Sequence, residues 1–179
     1  MPPADILIHA GDVCLMNHRP HIDDFNAWLG ELSYPATIVV PGNHDDPVIE
    51  DPGLLSNATV LLNQRITIEG LRIWGAGWSW PPEKRNREWA MIPQGVHVLV
   101  THVPPYGTLD EAPVGNPCGF VDLREAVKRI RPRLHVFGHV HLSRGMVTVG
   151  DTLFVNAANL SPDGDMEGRP PIVVTIETE

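Results

Sequence analysis

Six side chains able to bind metal or move protons stand just after apolar runs: Asp12, Asn43, His44, His102, His139 and His141. Asp12 follows Ile6-Leu7-Ile8-His9-Ala10-Gly11, and Asn43-His44-Asp45 follows Thr37-Ile38-Val39-Val40-Pro41-Gly42. His102 follows Val96-His97-Val98-Leu99-Val100-Thr101, and Gly138-His139-Val140-His141 follows Leu134-His135-Val136-Phe137. A carboxylate, an amide oxygen and neutral imidazoles form a mixed O/N donor set. Such a set suits Mn²⁺, Fe, Zn²⁺, Co²⁺ or Ni²⁺ better than Ca²⁺ or a thiolate-bound ion. His141 lies two residues beyond His139, so in an extended turn the two rings can serve adjacent metals. A two-metal site can activate water and hold the attacking and leaving oxygens of a phosphoryl transfer. His44, beside Asn43, is placed to protonate the leaving oxygen or stabilise its charge. These residues point to metal-assisted hydrolysis, with a phosphate ester as the expected substrate.

Positioning them falls to strands that end at one edge, which is where open α/β sheets bind ligands. Ile6-Leu7-Ile8, Thr37–Val40, Val96–Val100 and Leu134–Phe137 read as buried strands. Phe25, Trp28, Leu29 and Leu32 fall at helical spacing, so His21–Leu32 should cross between the first two strands as a βαβ unit. Asp23 or Asp24 suits that helix's positive end. Leu54–Leu62 reads as a short helical turn and a strand. Arg65–Ile68 and Leu71–Trp74 flank Glu69-Gly70 as a hairpin. Gly75–Pro93 reads as a loop carrying Trp78, Trp80 and Trp89, with a hydrophobic plug beneath it favoured over a substrate wall. Thr101–Gly119 reads as a shaped rim rich in Pro and Gly. Leu123, Ala126, Val127 and Ile130 stripe a second helix, with Asp122 and Glu125 resembling a capping box and Arg131-Pro132 as its end. Gly145–Val149, Leu153–Asn156 and Ile172–Ile176 read as later strands. The architecture expected is an α/β sandwich, two mostly β layers with helices outside.

The 179 residues fit one domain, 1–179, with a sizeable core. A formal charge of -9 argues against a stable nucleic-acid partner, although a bound metal would locally reverse that field for a phosphate. Two cysteines make no disulfide framework. No apolar run has transmembrane length and no signal peptide precedes the first strand, so a soluble cytoplasmic enzyme without a membrane partner is the expectation.

Gly11-Asp12, Gly42-Asn43-His44-Asp45, Thr101-His102 and Gly138-His139-Val140-His141, in this order, resemble the signature of the calcineurin-like metallophosphoesterases. Asp5–Asp12, Phe25–Gly30 and Arg131–His141 have the texture of the metallophosphoesterase-domain-containing (MPPED) branch. The resemblance runs from about Asp5 to Asn159. It implies the metallophosphoesterase-type αββα sandwich, two mixed β-sheets flanked by helices. It also implies that Asp12 bridges two metals, with Mn²⁺ foremost, while Asn43, His102 and His139 complete one site. His141 would belong to the other, and His44 would be the catalytic imidazole. The family's first motif, D-x-H, has no counterpart before Asp12, and position 15 is Leu where a G-D-x-x-D extension would carry Asp. The resemblance therefore implies an N-terminally shortened domain with one complete site and one depleted site. The strand that carries D-x-H would lie beside Ile6-Leu7-Ile8, which has neither charge nor proline to blunt an open edge, so a homo-oligomer is expected.

The substrate implied is a small phosphodiester, cyclic nucleotides included. A phosphomonoesterase or protein phosphatase, and a degenerate phosphate- or nucleotide-binding module, remain as alternatives. Other polar residues have plainer readings. His9 suits a supporting hydrogen bond, His18 and His21 a solvated loop, His97 and His135 ordinary sheet positions, and Cys14 a small buried thiol whose pairing with Cys118 stays open. Arg144 is placed either to meet a phosphate or to sit at the surface. Asn156 and Asn159 have a weak claim as substrate contacts.

Overall fold

The β-branched run Thr37–Val40 becomes the middle of the smaller sheet, because such side chains pack well on both faces of a covered strand. In the computed structural model, which describes residues 1–112, 115–161 and 169–177, Ile38, Val39 and Val40 are fully buried. Strand β2 (Ala36–Val39) pairs in parallel with β1 (Ile6–His9) on one side and β3 (Thr59–Val60) on the other. Helix α1 (Arg19–Glu31) makes the crossover from β1 to β2. It starts before His21 because Pro20 suits a helix's first turn. Asp23 is thereby displaced from the N-terminal end and pairs with Arg19 across one exposed turn at 2.8 Å.

The hairpin at Glu69-Gly70 opens the larger sheet, and both turn residues take positive φ, 47° and 80°, as a two-residue turn between twisted strands requires. Its strands are β4 (Gln64–Ile68) and β5 (Leu71–Ala76). Strands β6 (Val98–Thr101), β7 (Leu134–Phe137) and β9 (Thr152–Asn156) continue in parallel from β5, and β8 (Gly145–Val149) closes the far edge antiparallel to β9. The order is β4-β5-β6-β7-β9-β8. The smaller sheet is parallel throughout and the larger one mixed.

Three apolar layers hold the sheets and helices together. Ile6, Ile8, Ile38 and Val40 meet Ile73, Val98, Val100, Val136 and Val155 between the sheets. Leu7, Val39 and Val60 face Ile22, Phe25 and Leu29 of α1 on one outer side. Leu99, Phe137 and Phe154 face helices α3 (Pro82–Ala90) and α4 (Val121–Ile130) on the other, through Trp89, Leu123, Ala126, Val127 and Ile130. The result is the expected αββα sandwich. A short helix α2 (Asp46–Glu50) follows the Asn43-His44 turn, and a helical turn at Pro52–Leu54 precedes β3. Among the described residues no helix is long and apolar enough to cross a membrane.

Three local expectations are corrected. Gly75–Pro93 is not all loop, since α3 lies within it. Its sequence is mostly charged and buries only Arg85 and Trp89, which leaves no apolar stripe to read. Trp89 does form the plug beneath, 2% exposed, whereas Trp80 faces solvent. The Asp122/Glu125 capping box does not form, because the N-cap position belongs to Phe120. The Glu125 carboxylate accepts from Lys128 at 3.0 Å and Arg124 at 3.1 Å instead. Ile172–Ile176 belongs to neither sheet. Its alternation is real, since Ile172, Val174 and Ile176 rest against the layer between the sheets.

Candidate metal centre

The carboxyl ends of β1, β2, β6 and β7 lie side by side, and the residues just past them converge. Gly11 and Gly42 make that approach possible. A Cβ on Gly42 would fall 2.2 Å from Asp12 Oδ1, and one on Gly11 would fall 2.5 Å from His102 Nδ1. Gly11 also takes φ 98°, a conformation that side chains resist. Asp12 and His139 themselves adopt left-handed backbone, φ 58° and 66°. Such non-glycine conformations cost free energy and persist where the surroundings enforce them, commonly at functional sites.

His102 is the hub. Its side chain is almost wholly buried, and its Nδ1 donates to the Ala10 carbonyl at 2.8 Å. That bond fixes the tautomer and leaves Nε2 as a bare lone pair. Nε2 lies 2.9 Å from Asn43 Oδ1, 3.1 Å from His139 Nδ1 and 3.4 Å from Asp12 Oδ2. Burial lowers the His102 and His139 pKa values to about 4, so neither ring is charged near neutral pH. The Asp12–His102 approach is then no ion pair. Burial raises the Asp12 pKa, against the pull of the His44 backbone N–H, which donates to Asp12 Oδ1 at 3.1 Å.

The bare Nε2 of His102 and oxygens of Asn43 and Asp12 therefore crowd together as acceptors beside Nδ1 of His139. Unrelieved, such crowding of lone pairs is unfavourable. A divalent ion relieves it, and its geometry matches: metal bonds of about 2.1 Å place neighbouring donor atoms about 3.0–3.4 Å apart. Asp12, His102 and His139 offer ligand atoms within 4.8 Å of one another. The donor set fits a transition-metal ion.

The other two predicted residues sit at the rim. His44 is half-buried, and its charge and that of His141 both act on His102 and His139. His141 stands outside the tight group, its Nδ1 donating to the Ser161 carbonyl at 3.3 Å.

Asp45 is the residue that sequence reasoning passed over. It is fully buried, and its carboxylate accepts from Gly42 N at 2.8 Å, Cys14 N at 3.1 Å and Val13 N at 3.2 Å. It thus ties the Asp12 turn to the Asn43 turn. The signal was present as an Asp three residues after a turn glycine, the spacing of a side chain that caps its own loop. Trp78 was also passed over as a member of the site. Its backbone N–H donates to Pro41 O at 2.9 Å, and its ring lies near-parallel to His139 with centroids 6.2 Å apart.

His9 Nδ1 accepts from Gly11 N at 3.3 Å, supporting the turn. His18 and His21 are exposed and pack on each other. His135 is buried beside Thr101, with Nε2 and Oγ1 at 2.9 Å. Cys14 is a buried thiol whose pKa burial pushes up to about 12, and both cysteines are free. Arg144 reaches the Pro170 carbonyl. Asn156 is not available to a substrate. It is fully buried, donating to Leu109 O and Val140 O and accepting from Ala158 N. A groove of about 730 Å³ at the amino ends of β2 and β3, lined by Tyr34, Thr37, Asn57 and Glu69, contains none of these ligands.

Comparison with known proteins agrees with the fold. The family model described as calcineurin-like phosphoesterase matches residues 2–143. Metallophosphoesterase domain-containing protein 1 of Homo sapiens is 34% identical over 221 residues, covering 99% of this chain and 66% of the relative. A UPF0046 protein of Caenorhabditis elegans is 33% identical, covering 95% of the chain and 68% of that protein. The chain thus spans about two thirds of the length of these relatives. Among solved structures, TT1561 of Thermus thermophilus superposes with a TM-score of 0.61 at 18% identity, covering 87% of this chain and 77% of that one. This chain belongs to the calcineurin-like phosphoesterase family.

Proposed function

We propose that the chain hydrolyses small phosphodiesters, cyclic nucleotides among them, with a divalent transition metal held by Asp12, Asn43, His102 and His139. The observation that carries this reading is the convergence of Asn43, Asp12 and His139 acceptor atoms on the bare Nε2 of His102. Family membership supports metal-dependent hydrolysis of a phosphate ester, and the choice of diester rests on the resemblance to the MPPED branch. A bound ion would supply Lewis-acid activation of water and of a phosphoryl oxygen, and Mn²⁺ suits the mixed donor set.

The chain's own residues do the rest. Ala10 O holds the His102 ring so that Nε2 faces inward. His44 N holds one Asp12 oxygen and leaves the other to the centre. The His44 imidazole, at the rim, carries the proton for the departing alkoxide. Asp12 and His141 offer a second, weaker metal position. Two free cysteines support a cytoplasmic setting, where thiols stay reduced.

Turnover of bis(p-nitrophenyl) phosphate and p-nitrophenyl phosphate, side by side with Mn²⁺ or with chelator, tests the reading. Mn²⁺-dependent preference for the diester is expected. Preference for the monoester makes the chain a phosphomonoesterase, and phosphate binding with no turnover makes it a binding module.

A further inference from the structure

Helix α3 is the most charged stretch of the fold, yet one of its cations is inside. Arg85 is 3% exposed. Its Nε and Nη1 have no hydrogen-bond partner, and the ion pairs among the described residues do not include it. Burying an unpaired guanidinium is costly, so an apolar side chain would serve better if packing were its whole purpose.

What surrounds Arg85 is aromatic. Its guanidinium carbon lies 4.0 Å from the centroid of Phe120, 4.8 Å from Trp78 and 5.3 Å from Trp89. A flat, weakly hydrated cation stacks on such rings in a way that an ammonium cannot. Trp78 carries the contact onward. Its ring is inclined 29° to His139 at 6.2 Å and meets His102 edge-on at 6.4 Å. Its backbone is already fixed to Pro41 O, so rotation of the ring is the freedom that remains.

A metal-binding imidazole needs its orientation held from outside, usually by a hydrogen bond. His102 has such a bond to Ala10 O, and His139 has the face of Trp78. We propose that Arg85 is a positioning residue for the centre: it clamps the Trp78 ring, which in turn holds the ligand His139. This rests on the metal reading above.

The test is a double-mutant cycle on Mn²⁺ affinity, measured by calorimetry on chelator-stripped protein, using Arg85→Met, Trp78→Leu and the double variant. Arg85→Met and Trp78→Leu should each weaken Mn²⁺ binding about 10- to 100-fold, as removal of a ligand's supporting partner does. The double variant should lose no more than the worse single one, because both act through one ring. Mn²⁺ affinity unchanged in Arg85→Met, or losses that add in the double variant, would overturn the role of Arg85. If Arg85→Met does not fold, Arg85→Lys takes its place, and the same non-additivity with Trp78→Leu is required. Wild-type protein that takes up no Mn²⁺ would overturn the metal reading beneath, whereas wild-type uptake matched by the variants overturns this inference alone.

Discussion

His44 shares a turn with Asn43 yet points to a different duty. Its backbone N–H holds Asp12, while its ring sits at the rim and outside the four converging atoms. His44→Ala keeps that backbone contact, so Mn²⁺ content should be nearly unchanged while kcat falls by about 10²–10⁴-fold. Steady-state kinetics with metal analysis of the same samples checks this. An unchanged kcat, with chemistry rate-limiting, would remove His44 from the mechanism. The converging residues were legible because each stands directly after an apolar run. Trp78 was not, because nothing in its spacing says that a backbone bond to Pro41 brings it against His139.

Strand ends set the residues side by side, but turns set their separations. Asp45 matters here because one carboxylate serves three backbone donors from two turns. Asp45→Ala leaves those buried donors unpaired and should cost more than about 3 kcal/mol in urea unfolding, with weakened Mn²⁺ retention. A change under 1 kcal/mol, on the order of one net hydrogen bond, would deny Asp45 that function. Three histidines on or after strands also make stability depend on pH. Burial lowers His135 to about 3 and His102 and His139 to about 4, against an ordinary 6.5. Above pH 6.5 folded and unfolded chains carry these rings neutral, and no difference arises. As pH falls below that value the unfolded chain takes up protons first, so metal-free protein should lose up to about 1.4 kcal/mol per pH unit for each ring. Urea midpoints of chelator-stripped protein at pH 7.5, 6 and 5 (chosen around that window) check the slope. A flat profile would contradict it. Strand and helix positions were readable from periodicity, whereas α3 was hidden because its buried positions are an arginine and a tryptophan in a charged sequence.

At the scale of the whole molecule, the αββα layering followed from apolar runs covered on both faces. The failure of Ile172–Ile176 to join a sheet did not, because alternation reports which side is buried and not whether a neighbouring ladder exists. That segment rests against the same layer as Ile6 and Ile8 of β1, and β1 pairs only with β2 among the described strands. An apolar strand with an open hydrogen-bonding side recruits another strand unless something blunts it. We propose self-association through β1 on that basis. Light scattering should then give a mass above 19.7 kDa for the chain, and Ile8→Pro, which removes an N–H on the side of β1 away from β2, should lower it. A wild-type monomer at all concentrations would refute it.

We propose that Asp12, Asn43, His102 and His139 hold a divalent ion on which hydrolysis depends. Equilibrium dialysis of the stripped protein against Mn²⁺, followed by elemental analysis of wild type and Asp12→Ala, tests it most directly. The wild type should hold one ion tightly and a second more weakly, and Asp12→Ala should hold neither. A wild type that holds no ion, or an Asp12→Ala variant with full metal content, would contradict it.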